Sequence, residues 1–130
     1  MKVPFIDILR YEPGFFETVS QKATELIKNG HFVGGPVVGQ FEAALKAYTE
    51  APFAIGCANG TDAIQVALRA AGVGKDDKVL LPDMTFWATF EAVVNVGAVP
   101  YTLDVSRETL HLTLAGVKEG VEKFQPKALL

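Results

Sequence analysis

The sequence predicts an α/β fold in which a mostly parallel sheet is flanked by helices and preceded by two leading helices. Three observations carry this. From Phe53 onward, short apolar runs alternate with stretches of helical periodicity. The apolar runs lack the in-out alternation of half-exposed strands, as strands covered by helices on both faces do. Two of the helical stretches close on Gly72 and Gly97, residues that accept the left-handed backbone of a helix stop.

Between residues 17 and 29, Val19, Ala23, Leu26 and Ile27 share one helical face, and Asn29-Gly30 supplies the stop. Gly34-Gly35 then leads into Pro36 at a first helical position. Behind it Val37, Val38, Phe41, Ala44, Leu45 and Tyr48 form an apolar stripe. The alternation that follows reads as a strand over 53–57, a helix over about 61–71, a strand over 78–81, a helix around 88–96 and a strand over 99–103. A last amphipathic segment carries Leu114, Val117, Val121 and Phe124 before Pro126, and 127–130 opens another strand. No linker, repeat or low-complexity tract interrupts this order. The expectation is therefore a single incomplete domain over 1–130, with a helical segment over 1–50 and the start of the αβ layer over 51–130.

Composition narrows the function class. Hydrophobic residues at 49% and charged ones at 21% place the chain among globular proteins rather than disordered ones. A net charge of -3 with scattered lysines offers no basic stripe for nucleic-acid phosphates or anionic lipid, so a small-molecule ligand is expected. Cys57 is the single cysteine; with two distant histidines it builds no zinc cluster, and it reads as a small buried hydrophobe. His31 and His111 have no Ser, Cys or carboxylate at a telling spacing, and Tyr48 and Tyr101 read as core. The opening residues lack a secretory apolar run and no stretch approaches ~20 apolar residues, from which a cytoplasmic location is expected.

In open α/β sheets the ligand crevice lies beyond the carboxyl ends of the strands, which singles out three loops. The first is Ala58-Asn59-Gly60-Thr61-Asp62 at the start of a helix, where free amides and the positive helix end favour a phosphate. The bland alternative is a turn in which Asn59 or Thr61 merely caps the helix. Asp62 supports the helix start but repels an anion, so it must point away if a phosphate binds. The second loop, 82–89, offers Phe86 and Trp87 with the hydroxyls of Thr85 and Thr89. Neighbours in a helical first turn point roughly 100° apart, so one aromatic faces the crevice, and the pattern does not choose which. The third is Asp104, which could hold a cationic ring nitrogen or a metal but more commonly caps a turn.

Taken in order, Val3-Pro4-Phe5-Ile6-Asp7, Gly30-His31-Phe32-Val33-Gly34-Gly35-Pro36 with Phe41-Glu42, and Cys57-Ala58-Asn59-Gly60-Thr61-Asp62-Ala63-Ile64 form a recognisable series. It continues through Gly74-Lys75-Asp76-Asp77-Lys78-Val79, Leu81-Pro82-Asp83-Met84-Thr85-Phe86, Gly97-Ala98-Val99-Pro100 and Asp104-Val105. The series resembles the DegT/StrS-type sugar aminotransferases along almost the whole chain. The resemblance implies the N-terminal part of the large domain of a fold-type I pyridoxal-phosphate enzyme, commonly a homodimer. Such an enzyme moves an amino group from glutamate or a similar amino-acid donor onto the keto group of a nucleotide-linked sugar, as in polysaccharide or lipopolysaccharide biosynthesis. It further implies that Gly60 and Thr61 contact the cofactor phosphate and that Phe86 stacks on the pyridine ring. Asn59 stands where the family commonly has serine, and it joins the cofactor-binding set with a different reach. No metal is implied, and no catalytic residue falls within 1–130. By the resemblance, the Schiff-base lysine, the carboxylate for the ring nitrogen and the donor-recognition part lie beyond Leu130, and the chain alone is expected to be inactive. Two other readings stay open: a sugar dehydratase of the same family, and a noncatalytic regulatory or interaction protein that keeps the fold. A generic flavodoxin-like nucleotide binder would explain the alternation but not the two leading helices with their glycine-rich joint.

Overall fold

The computed structural model of the protein describes residues 3–130. They fall into two compact units, one ending at Gly56 and the other beginning at Cys57.

The first unit contains α1 (Phe15–Lys28) and α2 (Pro36–Thr49). Helix α1 begins ahead of its apolar periodicity, where Tyr11 stacks on Phe15 at 4.2 Å between ring centroids. It ends as Asn29-Gly30 foretells. Gly30 takes φ 66°, its N–H donates to Ile27 O at 3.1 Å, and the N–H of His31 donates to Leu26 O at 3.0 Å. These paired bonds satisfy the last carbonyls in a Schellman stop. Helix α2 starts on Pro36, and its Glu42 carboxylate accepts the Gly56 N–H at 2.7 Å. No residue of either helix is buried, and Tyr48 is 88% exposed, which corrects its assignment to the core.

The predicted strand over 53–57 does not form among the described residues. A strand exists only where a neighbour takes its amide and carbonyl groups, and the three strands present pair with one another instead. Phe53 and Ile55 consequently lie exposed, and so does Cys57, against the expectation of a buried thiol.

The second unit runs α3 (Gly60–Ala70), β1 (Lys78–Pro82), α4 (Trp87–Asn95), β2 (Val99–Leu103), α5 (Leu114–Phe124) and β3 (Ala128–Leu129). The strands form a parallel sheet in the order β2-β1-β3, with Leu80 beside Tyr101 and Val79 beside Ala128. Strand β1 is central, and its Val79, Leu80 and Leu81 are fully buried on both faces, which is why it reads as an unbroken apolar run. Val79 and Leu81 join Leu68 of α3, Val93 of α4 and Val96 at the C-cap of α4 in one core cluster. Leu80 points to the opposite face, where α5 covers it together with Leu103. Gly120 of α5 is the contact there: a Cβ would stand 2.8 Å from Leu103 Cδ2 and 3.2 Å from Leu80 Cδ1, so this crossing accepts no side chain without displacement. On the same face Tyr101 packs on Phe124 at 4.4 Å between ring centroids, but it is half-buried rather than enclosed as a core residue would be. Among the described residues no helix is long and apolar enough to cross a membrane.

One ion pair ties the amino ends of the strands together. Lys127 Nζ lies 2.7 Å from Asp77 Oδ2, which also accepts the Gly74 N–H at 2.9 Å, while the Lys127 N–H donates to Lys78 O at 2.8 Å. The Lys127 hydrogen bond, then that of Gly74, holds the Asp77 carboxyl below its ordinary range. A depressed folded value means that this contribution is complete above the unfolded Asp range and disappears as pH falls through the folded value. Lys127→Met should therefore lower stability slightly at neutral pH, and its urea curve should converge with that of the wild type in acid once Asp77 is protonated. A difference that persists undiminished there would show that the pair is not its source.

Candidate cofactor site

Topology places two helix starts at one edge of the sheet. Helix α3 returns through residues 71–77 to the beginning of β1, and β1 leads through 83–86 straight into α4. The amino ends of α3 and α4 thus lie toward the carboxyl edge, and the two helices pack on each other.

Asn59 is the N-cap of α3, with extended backbone at φ -161° and ψ 176°. Its Oδ1 accepts the Asp62 N–H at 2.9 Å, and its Nδ2 donates to Asp62 Oδ2 at 3.0 Å. The other Asp62 oxygen accepts from Gln65 Nε2 at 3.4 Å, so the carboxylate is engaged by neutral amides along the helix. The N–H of Ala63 is taken by Asn59 O at 3.0 Å. The amides of Gly60 and Thr61 precede the first intrahelical acceptor and meet no partner among the described residues. Beside Gly60 the space is open: a Cβ there would have no atom within 4 Å. The Thr61 hydroxyl, on a half-buried residue, completes a set of three donors at the positive end of the helix. The cap and the anion site are therefore compatible, since the cap occupies Asp62 and Ala63 and leaves the first two amides free.

The second loop differs from its expected form. Phe86 is not in the helical first turn but is the N-cap of α4, extended at φ -69° and ψ 144°, and Trp87 is the first helical residue. The Trp87 ring lies on Phe90 at 5.2 Å with an interplanar angle of 26°, and Phe90 packs against the core cluster. The Phe86 ring is 80% exposed. Together with Pro82, Asp83, Thr85 and Thr102 the two aromatics line a shallow depression at the ends of β1 and β2. The Thr85 and Thr89 hydroxyls, 2.9 Å apart, close the loop around Phe86, a relation visible in sequence only as two threonines four residues apart.

Asp104 stands elsewhere. It is exposed beyond β2 in a separate groove of about 480 Å³ that it shares with Ser106, Thr113, Glu119 and Lys123, and it does not line the depression at Phe86. His111 is exposed on the same side of the chain order, in the turn closed by the Val105–Leu112 bridge.

The DegT/DnrJ/EryC1/StrS aminotransferase family matches residues 16–130. The chain belongs to that family. It is 34% identical over 130 residues, the whole of this chain and 35% of the relative, to a pleiotropic regulatory protein of Geobacillus stearothermophilus. It is 34% identical over 110 residues, 85% of this chain and 31% of the relative, to the UDP-2-acetamido-2-deoxy-3-oxo-D-glucuronate aminotransferase of Pseudomonas aeruginosa. Among solved structures, a DegT DnrJ EryC1 StrS aminotransferase from Brucella abortus superposes with a TM-score of 0.85 at 28% identity, covering 98% of this chain and 36% of that one. NtdA of Bacillus subtilis, solved with bound cofactor PMP, superposes with a TM-score of 0.77 at 27% identity over 98% of this chain and 35% of that one. The chain spans about a third of the length of these relatives. The fold is accordingly the α/β arrangement of this aminotransferase family, as the sequence predicts, and the family is one that uses the pyridoxal-phosphate class of cofactor.

Proposed function

We propose that this chain supplies the phosphate and ring contacts of a pyridoxal-phosphate-dependent aminotransferase that acts on a nucleotide-linked keto sugar with a glutamate-type donor. The observation that carries the reading is a helix start with two free amides on the same sheet edge as an aromatic ring that is 80% exposed. The donor set fits a phosphate: the Gly60 and Thr61 N–H groups and the Thr61 hydroxyl add hydrogen bonds to the favourable helix dipole. Gly60 lets the anion approach the backbone closely. Asn59 contributes by fixing the helix start, because both ends of its amide are engaged with Asp62. The exposed Phe86 offers a flat apolar face that excludes water from one side of a planar ring. Bound in this site, pyridoxal phosphate would supply the carbonyl and the electron-withdrawing ring through which an amino group passes from donor to acceptor.

The similarity to a UDP-sugar aminotransferase supports the acceptor class. Incubating the natural protein with pyridoxal phosphate, glutamate and a UDP- or dTDP-linked 3-keto hexose should give 2-oxoglutarate and an amino sugar in equal amounts by mass spectrometry. A deoxy sugar formed with release of 2-oxoglutarate and free ammonia, and no amino sugar, would identify a dehydratase instead. The 34% identity to a pleiotropic regulatory protein favours a second reading, a fold retained for regulation, under which neither product forms.

The two aromatics separate by experiment. Phe86→Ala should weaken pyridoxal phosphate binding by roughly 2- to 10-fold, the worth of one aromatic stacking contact. Trp87→Ala should chiefly lower thermal stability, because Trp87 rests on Phe90. An absorbance titration in which Trp87→Ala is the weaker binder of the two would exclude Phe86 as the stacking residue.

A further inference from the structure

The conformation of Phe86 rests on its backbone, since its ring is 80% exposed and stacks on no other ring among the described residues. On the carboxyl side that backbone is fixed by α4, where the Thr89 N–H donates to Phe86 O at 3.0 Å. On the amino side it is fixed by a side-chain pair, the Thr85 and Thr89 hydroxyls at 2.9 Å, which brackets Phe86 from both directions. Thr89 is unlike the other helical threonines in this pairing. Thr18, Thr24 and Thr49 each donate to the main-chain oxygen four residues back, at 2.9, 2.8 and 2.8 Å, the ordinary local bond of a helical hydroxyl. Thr89 instead meets the side-chain oxygen of the residue four back, because Thr85 lies outside the helix and Phe86 between them is extended. The bond thus joins the helix to the loop and limits the rotations that would swing the Phe86 ring.

We propose that Thr89 is a positioning residue, whose hydroxyl acts through Thr85 to hold the Phe86 ring over the plane of the bound cofactor. This rests on the reading of Phe86 as the stacking residue, and the experiment separates the two. Pyridoxal phosphate is titrated into the natural protein and into Thr89→Val, Thr89→Ser, Phe86→Ala and the Phe86→Ala/Thr89→Val pair, with affinity and the absorption band of the bound cofactor as readouts. Valine keeps the shape of threonine and removes the hydroxyl. Thr89→Val should weaken binding by about 2- to 10-fold, the range of one hydrogen bond, and move the band toward that of Phe86→Ala. Thr89→Ser should restore both, and Thr89→Val should add nothing once Phe86 is alanine. Should Thr89→Val fail to fold, Thr85→Val removes the same bond from an exposed position and must give the same result. Wild-type affinity and spectrum in Thr89→Val, or an equal loss with and without Phe86, overturns the proposal while leaving Phe86 in its role. An unaffected Phe86→Ala overturns the stacking assignment itself, and the positioning role with it.

Discussion

Truncating Leu80 to alanine is expected to destabilise the protein by about 2–5 kcal/mol, the range for removing a fully buried leucine. Leu80 occupies the middle of the central strand with no exposed surface, beside Tyr101 on β2 and beneath α5. The other two interior positions of β1, Val79 and Leu81, face the α3–α4 cluster, so Leu80 alone carries the strand's contribution to the α5 face. The close crossing at Gly120 adds a second, sharper test. Gly120→Ala gains helix propensity but places a methyl 2.8 Å from Leu103 Cδ2 and 3.2 Å from Leu80 Cδ1, so in the wild type the two effects oppose each other. With Leu80 shortened, part of that crowding is relieved, and the double variant should be more stable than the sum of the single changes by roughly 0.5 kcal/mol or more. Urea unfolding of the four proteins measures this. Strict additivity, or a Leu80→Ala loss below about 1 kcal/mol, would mean that α5 does not lie on Leu80 as described.

The elements that sequence foretells here are those whose signals are local. Periodicity marks α2 and α5, Pro36 opens one helix, and Asn29-Gly30 closes another with the paired bonds its chemistry allows. What periodicity does not carry is whether anything covers a face. The stripe from Val37 to Tyr48 is regular and yet exposed, and the run over 53–57 is apolar enough for a strand but finds no neighbour to pair with among the described residues. The misplacement of Cys57 and Tyr48 has this one cause. The site shows the same division. The helix start at Gly60 was legible because capping residues and free amides belong to the local chain. The choice between Phe86 and Trp87 was not, because it depends on Phe86 lying one residue outside the helix and on Trp87 finding Phe90.

Gly60 provides the test with the largest expected functional effect. Many glycines cannot be replaced because their backbone is left-handed, but Gly60 is not among those of this chain, and a Cβ built on it meets no protein atom within 4 Å. A side chain at the first position of α3 therefore costs the fold little, and Gly60→Ala should gain up to about 1 kcal/mol from helix propensity. On the proposed reading, the side chain takes up space through which the phosphate approaches the Gly60 and Thr61 amides. Gly60→Val should accordingly lower the affinity for pyridoxal phosphate by more than about 10-fold, that is by over ~1.4 kcal/mol, while the melting temperature stays near that of the wild type. Gly60→Ala should fall between the two, since one methyl intrudes less than the branched side chain. Because the protein itself leaves room for the substitution, a selective loss of binding reports the approach of the ligand to the backbone. If the natural protein with Gly60→Val binds pyridoxal phosphate as tightly as the unsubstituted protein in an absorbance titration, the phosphate does not sit at the start of α3.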